Sequence, residues 1–505
     1  MKHWLGIDIG TGGSRALVVD AGGAVVAGVT VAHQDMRMEQ PLWAEQHPDD
    51  WSRAAFEAVR GALAKSGAAG DDIAGVGFSG QMHGLVLLDE KKSVIRPALI
   101  WCDQRSQDQV DWMNSTAGEE FILEQTANPV LTGFTAPKLL WVRDHDPASY
   151  EKTRTMLLPK DYVRFRLTGE FAADVSDASG TALFDVVNRR WADPLISKIG
   201  VDRDILPAVA ESSEVVGTVN EAAAKETGLK AGTPVVAGAG DQAASAVGNG
   251  IVQSGLVSCT IGTSGVVFSH MDEVAYDPGG RVHTFCHAVP GKWHVMGVTQ
   301  GAGLSLQWFR NQLGEQFTAE SERTGTDVYD LMMAEAAQAP AGSEGLFWLP
   351  YLMGERTPHL DALARGGWIG LTAKHTRAHL LRSMVEGVSY SLKDCLDIVE
   401  SLGIDVQTVR ASGGGAKSPF WREMLANIFA RPITTLETQE GSAYGAALLA
   451  MTGSGHYSTV EEACQAAVRE EERVLPEAAA VEKYADRHRT YQSLYPALKD
   501  SFRSM

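Results

Sequence analysis

Two carboxylates stand where apolar strands run into small residues, and each is placed to do chemistry on a phosphate. Asp8 lies in the stretch Gly6-Ile7-Asp8-Ile9-Gly10-Thr11-Gly12-Gly13-Ser14-Arg15, which leads into the apolar run 16–20. Two apolar strands around a turn of Gly, Thr and Ser form a β-hairpin whose glycines permit positive φ and close backbone approach. Such a tip points several free N–H groups at one anion, and phosphate is the obvious candidate. Asp8, two residues before the tip, is placed to hold Mg²⁺ beside that phosphate, directly or through water. The competing reading is an ordinary hairpin in which Asp8 caps its own turn. A second copy weighs against it, because Ile261-Gly262-Thr263-Ser264-Gly265 repeats Ile9-Gly10-Thr11-Gly12-Gly13 half a chain away.

The repeat implies two related domains, each offering a phosphate-binding hairpin to a shared cleft. It resembles the architecture of actin, hexokinase and the heat-shock chaperones. The expected fold is therefore α/β, with two duplicated ribonuclease-H-like domains and a nucleotide cleft between them.

The second carboxylate, Asp241, ends the apolar strand Pro234-Val235-Val236-Ala237-Gly238-Ala239-Gly240. Ligands of open α/β sheets bind outside the carboxyl ends of strands. Phosphoryl transfer to an alcohol needs a carboxylate there, within reach of the hydroxyl proton. Asp241 is the candidate general base; the alternative is a cap for the helix that starts at Gln242. Ser412-Gly413-Gly414-Gly415-Ala416 is a strand-to-helix turn suited to the adenosine end of a nucleotide, though a bare triple glycine can also be only a tight turn. Gln81-Met82-His83 and Trp101, the latter with Asp103 and Arg105, lie at further strand ends. Amide, imidazole and indole groups suit a polyhydroxylated ligand, against the plainer reading of a structural histidine and a core tryptophan. Two His-x-x-x-His spacings, His283/His287 and His375/His379, lack a third ligand, the first falling in an extended segment and the second at a helix start. Metal is therefore expected only at Asp8.

The elements that must position these groups follow from the pattern. A strand at 25–31 completes a meander, and a helix at 51–64 starts after Pro48-Asp49-Asp50. Strands fall at 73–78, 85–89 and 98–101, and helices at 108–124, around 139–143, and at 159–168. The stretch 171–183 reads as irregular. In the second half helices are expected at 305–313, 328–338, 377–401, 419–429 and 443–450, with a strand at 408–411. The acid run Glu470-Glu471-Glu472 and the segment 478–498 read as solvated surface helices. The domains divide as 1–247 and 248–505.

The chain of 505 residues has room for two cores and carries a formal net charge of −19, which disfavours nucleic acid or an anionic membrane as partner. Its five scattered cysteines read as reduced thiols of a cytoplasmic protein. There is no room for a signal peptide before the first strand, and no apolar stretch long enough to span a bilayer.

Longer motifs carry a resemblance. The stretch Gly133-Phe134-Thr135-Ala136-Pro137-Lys138-Leu139-Leu140-Trp141-Val142-Arg143-Asp144-His145 resembles the first signature of the FGGY carbohydrate kinases. Gly366-Gly367-Trp368-Ile369-Gly370-Leu371, running on to Ser383-Met384-Val385-Glu386, resembles the second. The similarity covers nearly all of the chain and thins after about Thr452. It implies ATP- and Mg²⁺-dependent phosphorylation of a sugar or polyol, with Asp241 as proton acceptor and Asp8 at the magnesium site. By the same resemblance Thr11, Gly12, Gly13, Gly262 and Thr263 line the phosphates, and Gly414, Gly415 and Asn427 face adenosine. Gln81-Met82-His83 is similar to the substrate motif of members acting on D-xylulose, and Leu349-Pro350-Tyr351-Leu352-Met353-Gly354-Glu355-Arg356-Thr357-Pro358 resembles the same group. Gly12 stands where relatives often have Ser or Thr, and Gln242 where close bacterial relatives have Asn. A homodimer is a family-level expectation. The alternatives are a kinase for another pentulose or pentitol (ribulose, xylitol, arabinitol) and a non-catalytic ATP-binding protein of the actin or chaperone type.

Overall fold

The computed structural model describes residues 2–438 and 440–505. Two mixed sheets dominate it. The first is built from β1 (His3–Ile9), β2 (Gly13–Asp20), β3 (Val25–Ala32), β4 (Ile73–Gly80), β5 (Val215–Thr218) and β6 (Pro234–Val236), in the order β5-β6-β4-β1-β2-β3, with the short β7 (Ala239–Gly240) also paired to β4. The second contains β8 (Leu256–Ile261), β9 (Gly265–Met271), β10 (His283–Cys286), β11 (Trp293–Thr299), β12 (Thr408–Ser412), β13 (Ile433–Leu436) and β14 (Glu470–Val474), in the order β10-β11-β9-β8-β12-β13-β14. From β3 to β5 the neighbours run antiparallel, antiparallel, parallel, parallel, antiparallel. From β11 to β14 the same sequence of senses recurs. The duplication read from two hairpins thus extends through both sheets.

Helices cover the sheets. In the first half they are α1 (Pro48–Ser66), α2 (Gln107–Ala117), α3 (Glu119–Thr126), α4 (Thr135–His145), α5 (Pro159–Thr168) and α6 (Asp241–Gly248). In the second half come α7 (Ala302–Leu313), α8 (Val328–Ala336), α9 (Arg377–Ser401), α10 (Pro419–Phe429), α11 (Gly441–Gly453) and α12 (Ala478–Arg503). Helix α1 carries Pro48 at its start, Asp49 and Asp50 in its first turn, Lys65 in its last and a left-handed Gly67 after it, the charge order that the helix dipole favours.

Several elements differ from the sequence pattern. The helix expected at 108–124 is two, because Gly118 at φ 90 closes α2 and opens α3. The strand running into Asp241 is interrupted at Gly238 (φ 80), where a side chain would meet the Phe78 carbonyl at 2.3 Å. The acidic tail is not helical at its acid run, since Glu470–Val474 is the edge strand β14. Its three glutamates are exposed, and two reach back to arginines, Glu470 to Arg410 at 3.2 Å and Glu472 to Arg422 at 2.6 Å. Nor is α12 a surface appendage: Tyr484, Tyr491, Tyr495 and Phe502 are buried in the second core.

The two halves meet through α6 and α11. Helix α11 lies on the first sheet although it comes late in the chain, and glycines let the backbones touch. A Cβ on Gly6 or Gly77 would fall 1.9 Å from the Ala443 or Ala446 carbonyl oxygen, and one on Gly445 would fall 1.8 Å from the Ala244 oxygen. No helix among the described residues is long and apolar enough to cross a membrane.

Candidate active site

Strand register brings the two carboxylates to the same end of the first sheet. Asp8 on β1 and Ala239 on β7 both pair with Ser79 on β4, so Asp241 follows two residues beyond that level. It is the first residue of α6, after Gly240 at the N-cap. Burial, together with the negative charge of Asp8, pushes Asp241 up to about 7, while the Gln242 amides pull the other way. Burial also raises Asp8, against the lowering influence of Ser79 and Arg15. Asp8 Oδ1 is buried with no hydrogen-bond partner. A carboxylate oxygen without a protein partner, coupled to a second carboxylate, is a donor set that fits a divalent cation.

The hairpins differ by one residue. Ile9 pairs with Ser14 across a four-residue turn closed by Gly10 N–H to the Gly13 carbonyl at 3.0 Å, whereas Ile261 pairs with Gly265 across three. None of their glycines adopts positive φ. They serve close packing and an open face instead: a Cβ on Gly13 would meet the Val31 carbonyl at 2.8 Å, and one on Gly12 would meet nothing within 4 Å. Among the described residues, the N–H groups of Thr11, Gly12, Thr263 and Ser264 donate to no protein acceptor. The second turn is instead held from behind, by the N–H groups of Gly303 and Leu304 at the start of α7, bonded to its carbonyls at 2.8 and 3.0 Å.

A cavity of about 620 Å³ opens beside the second turn. Gly262, Thr263, Gly414 and Gly415 line it as expected, with Gln307, Tyr329 and Lys417 from neighbouring helices and loops. Asn427 does not line it. Its amide is buried, and Oδ1 accepts the Glu477 N–H at 2.8 Å where α12 begins, so it anchors the tail.

At the first hairpin, Gln81 is spent on the protein. Its amide nitrogen donates to the Gly10 carbonyl at 3.3 Å and to Gln46, and Oε1 accepts the Thr11 hydroxyl at 3.3 Å. That same hydroxyl accepts the indole N–H of Trp101 at 2.9 Å, leaving the ring of Trp101 nearly half exposed at 47%. Asp103 and Arg105 pair with each other at 2.7 Å, and Arg105 stacks on Trp43, so neither faces the site. Met82 packs between Gly240 and Gly180, and the His83 ring lies against Gly180. His83 sits at φ 68 and donates from Nδ1 to the Gly180 carbonyl at 2.7 Å. Burial drives its pKa down to about 3. The ring is therefore neutral, with Nε2 a bare acceptor.

The comparisons fit this geometry. Residues 3–248 match the N-terminal domain, and residues 257–454 the C-terminal domain, of the FGGY family of carbohydrate kinases. The chain belongs to the FGGY family. It is 40% identical over 500 residues to the xylulose kinase of Bacillus subtilis, covering 99% of this chain and 98% of the relative. Against the xylulose kinase of Escherichia coli it is 38% identical over 501 residues, covering 98% and 99%. The solved structure of the Rhodospirillum rubrum xylulose kinase superposes with a TM-score of 0.92 at 30% identity, over 99% of this chain and all of that one. The protein is thus a sugar kinase, a phosphotransferase that takes ATP as donor.

The FGGY signatures have separable jobs here. In the first, Thr135 Oγ1 and Lys138 Nζ both donate to the His83 carbonyl, at 3.1 and 3.0 Å, pinning the left-handed backbone of His83. Phe134 stacks on its ring at 4.8 Å. Lys138 is wholly buried and burial brings it down to about 7. Sequence reasoning found the signature but not these three roles, which only the fold joins to residue 83. In the second signature Glu386 accepts from Gly342, Ser343, Arg382 and Tyr484 within the core of the second half. The histidine spacings bind elsewhere: His283 stacks with Phe285 at 5.6 Å, His287 meets the Ile251 carbonyl at 3.0 Å, and His379 meets Thr376 at the start of α9.

Proposed function

We propose that the protein phosphorylates D-xylulose to D-xylulose 5-phosphate, with Asp241 as general base. The observation that carries the reading is a carboxylate pushed up to about 7, one residue beyond the Gly240 on which Met82 packs. A base of that pKa is ionised in good part at neutral pH and still holds a proton well, the match that general-base catalysis requires. The sugar hydroxyl donates its hydrogen bond to Asp241. Its oxygen attacks the γ-phosphorus of ATP, the bond to the β,γ-bridging oxygen breaks, and the hydroxyl proton passes to Asp241 as ADP leaves.

Asp8, with its unpartnered Oδ1, fits a Mg²⁺ site. Mg²⁺ held there would neutralise charge on the phosphates. The N–H groups of Thr11 and Gly12 from one half and of Thr263 and Ser264 from the other are free to hold phosphate oxygens, with Gly414 and Gly415 at the adenosine end of the cavity. We assign the sugar site to residues 1–247 and the nucleotide cavity to 248–505, with α11 returning to the first sheet. The purified protein, given MgATP and a panel of D-xylulose, ribulose, xylitol and arabinitol, should release ADP fastest with D-xylulose. A faster rate with another member overturns the substrate, and no sugar-dependent ADP release overturns the kinase reading.

A further inference from the structure

Nothing in the chemistry above uses Arg356, although its loop is among the most tightly anchored in the second half. The buried carboxylate of Glu355 accepts from the Thr299 hydroxyl at 2.6 Å, the Gln300 N–H at 2.9 Å, the Ser391 hydroxyl at 3.3 Å and the Arg356 N–H at 2.8 Å. On the other side, Thr357 exchanges two hydrogen bonds with Val298 and donates from Oγ1 to the Arg281 carbonyl at 2.7 Å. Residue 356 is thus fixed between the end of β11 and the segment leading into β10.

That place adjoins the aromatic stack over His83. His283 and Phe285 of β10 meet Phe134 at 5.7 and 6.1 Å, and Phe134 stacks on His83. The positive charge of Arg356 acts on both His83 and His283, helping to keep each imidazole neutral. Burial in turn lowers the pKa of Arg356. Among the described residues the guanidinium makes no hydrogen bond and no ion pair. Glu355, its chain neighbour, has its oxygens committed to the loop. Arg356 is half-buried, and donors that no protein acceptor takes up are open to a ligand that accepts.

Arginine can only donate, and His83 Nε2 can only accept. A sugar hydroxyl can serve either partner, but a carbonyl oxygen can serve only the arginine. We propose that Arg356 holds the carbonyl oxygen of the acceptor sugar, and that together with His83 it selects an α-hydroxyketone over the corresponding polyol. The second half thereby contributes the group that reads the substrate class in a pocket otherwise built by the first. This rests on the reading of the cleft as a xylulose site.

The test compares binding of D-xylulose and of xylitol to the wild-type protein, Arg356→Met and Arg356→Lys by calorimetry, with ADP binding measured on each. Wild type should bind D-xylulose more tightly than xylitol. Arg356→Met should weaken D-xylulose by about 10- to 100-fold, the range of a hydrogen bond to a charged group, and change xylitol less than threefold. Arg356→Lys, which keeps a donor, should retain part of the preference, and ADP affinity should hold in both variants, showing that they are folded. Equal losses for ketose and polyol in a variant that still binds ADP, or no loss for either, overturn the role of Arg356 while leaving the proposed function standing. A wild-type protein that phosphorylates no pentulose overturns both.

Discussion

At the residue scale the proposed chemistry turns on one carboxylate, Asp241, held against its own ionisation. Asp241→Asn keeps the shape and can still orient a hydroxyl, but it cannot take the proton. Turnover should fall by about 10²–10⁴-fold, with sugar affinity within threefold in a binding titration; near-normal turnover would remove Asp241 as the base. The same residue ties activity to pH. Because the group works ionised, kcat/KM for the sugar should rise as pH passes through about 7. In Asp8→Asn that limb should move to lower pH, since the Asp8 charge is one of its two raising causes; an unmoved limb would separate the two carboxylates. Stability runs the opposite way. The folded value lies above the ordinary 3.8, so ionisation costs the folded state progressively between those pH values and by a constant amount above about 7. The melting temperature of Asp241→Asn should therefore match wild type near pH 4 and exceed it at pH 8.

At the element scale, local pattern revealed much and tertiary placement the rest. Helices α5, α9 and α10 begin and end where their periodicity and flanking residues put them, because capping and breaker residues act over one turn. The acid run was harder: three glutamates carry no strand signal, and β14 exists because β13 offers it an unpaired edge and two arginines stand below. Gln81 and Asn427 show the same limit within the site. Each is polar and sits beside a site motif, yet each is consumed by a backbone that arrives from elsewhere in the chain, at Gly10 and Glu477. His83 was legible as a residue, whereas the left-handed backbone that aims it depends on Lys138 and Thr135, more than fifty positions away. Asn427→Ala should cost about 1 kcal/mol through the orphaned Glu477 N–H and leave the KM for ATP unchanged, a contrast that thermal melts and steady-state kinetics resolve. Gly445→Ala should cost more, about 1–3 kcal/mol, because its methyl would press on the Ala244 carbonyl; a melt unchanged from wild type would mean that the two helices can slide apart freely.

At the scale of the whole molecule, the reacting groups are split between two bodies. The first hairpin, Asp8, His83 and Asp241 belong to the first half; the second hairpin, the cavity beside it and the Arg356 loop belong to the second. Binding both substrates should draw the halves together, and small-angle scattering should record a smaller radius of gyration with D-xylulose and a non-hydrolysable ATP analogue than with neither. An identical radius would count against a cleft shared in this way. The halves should turn about α6 and α11, where Gly6, Gly77 and Gly445 leave backbone against backbone with few side chains to repack. Helix α11 has another consequence, this one for how the protein is made. The hydrophobic cluster that includes Trp4, Leu17 and Val19 is completed by Ala443, Tyr444, Leu448, Leu449 and Cys464. A growing chain that has already synthesised every strand of the first sheet still lacks the helix that roofs it, and must keep that surface from other nascent chains until some two hundred further residues have been made. The opening residues of this protein are among the last to find their final neighbours.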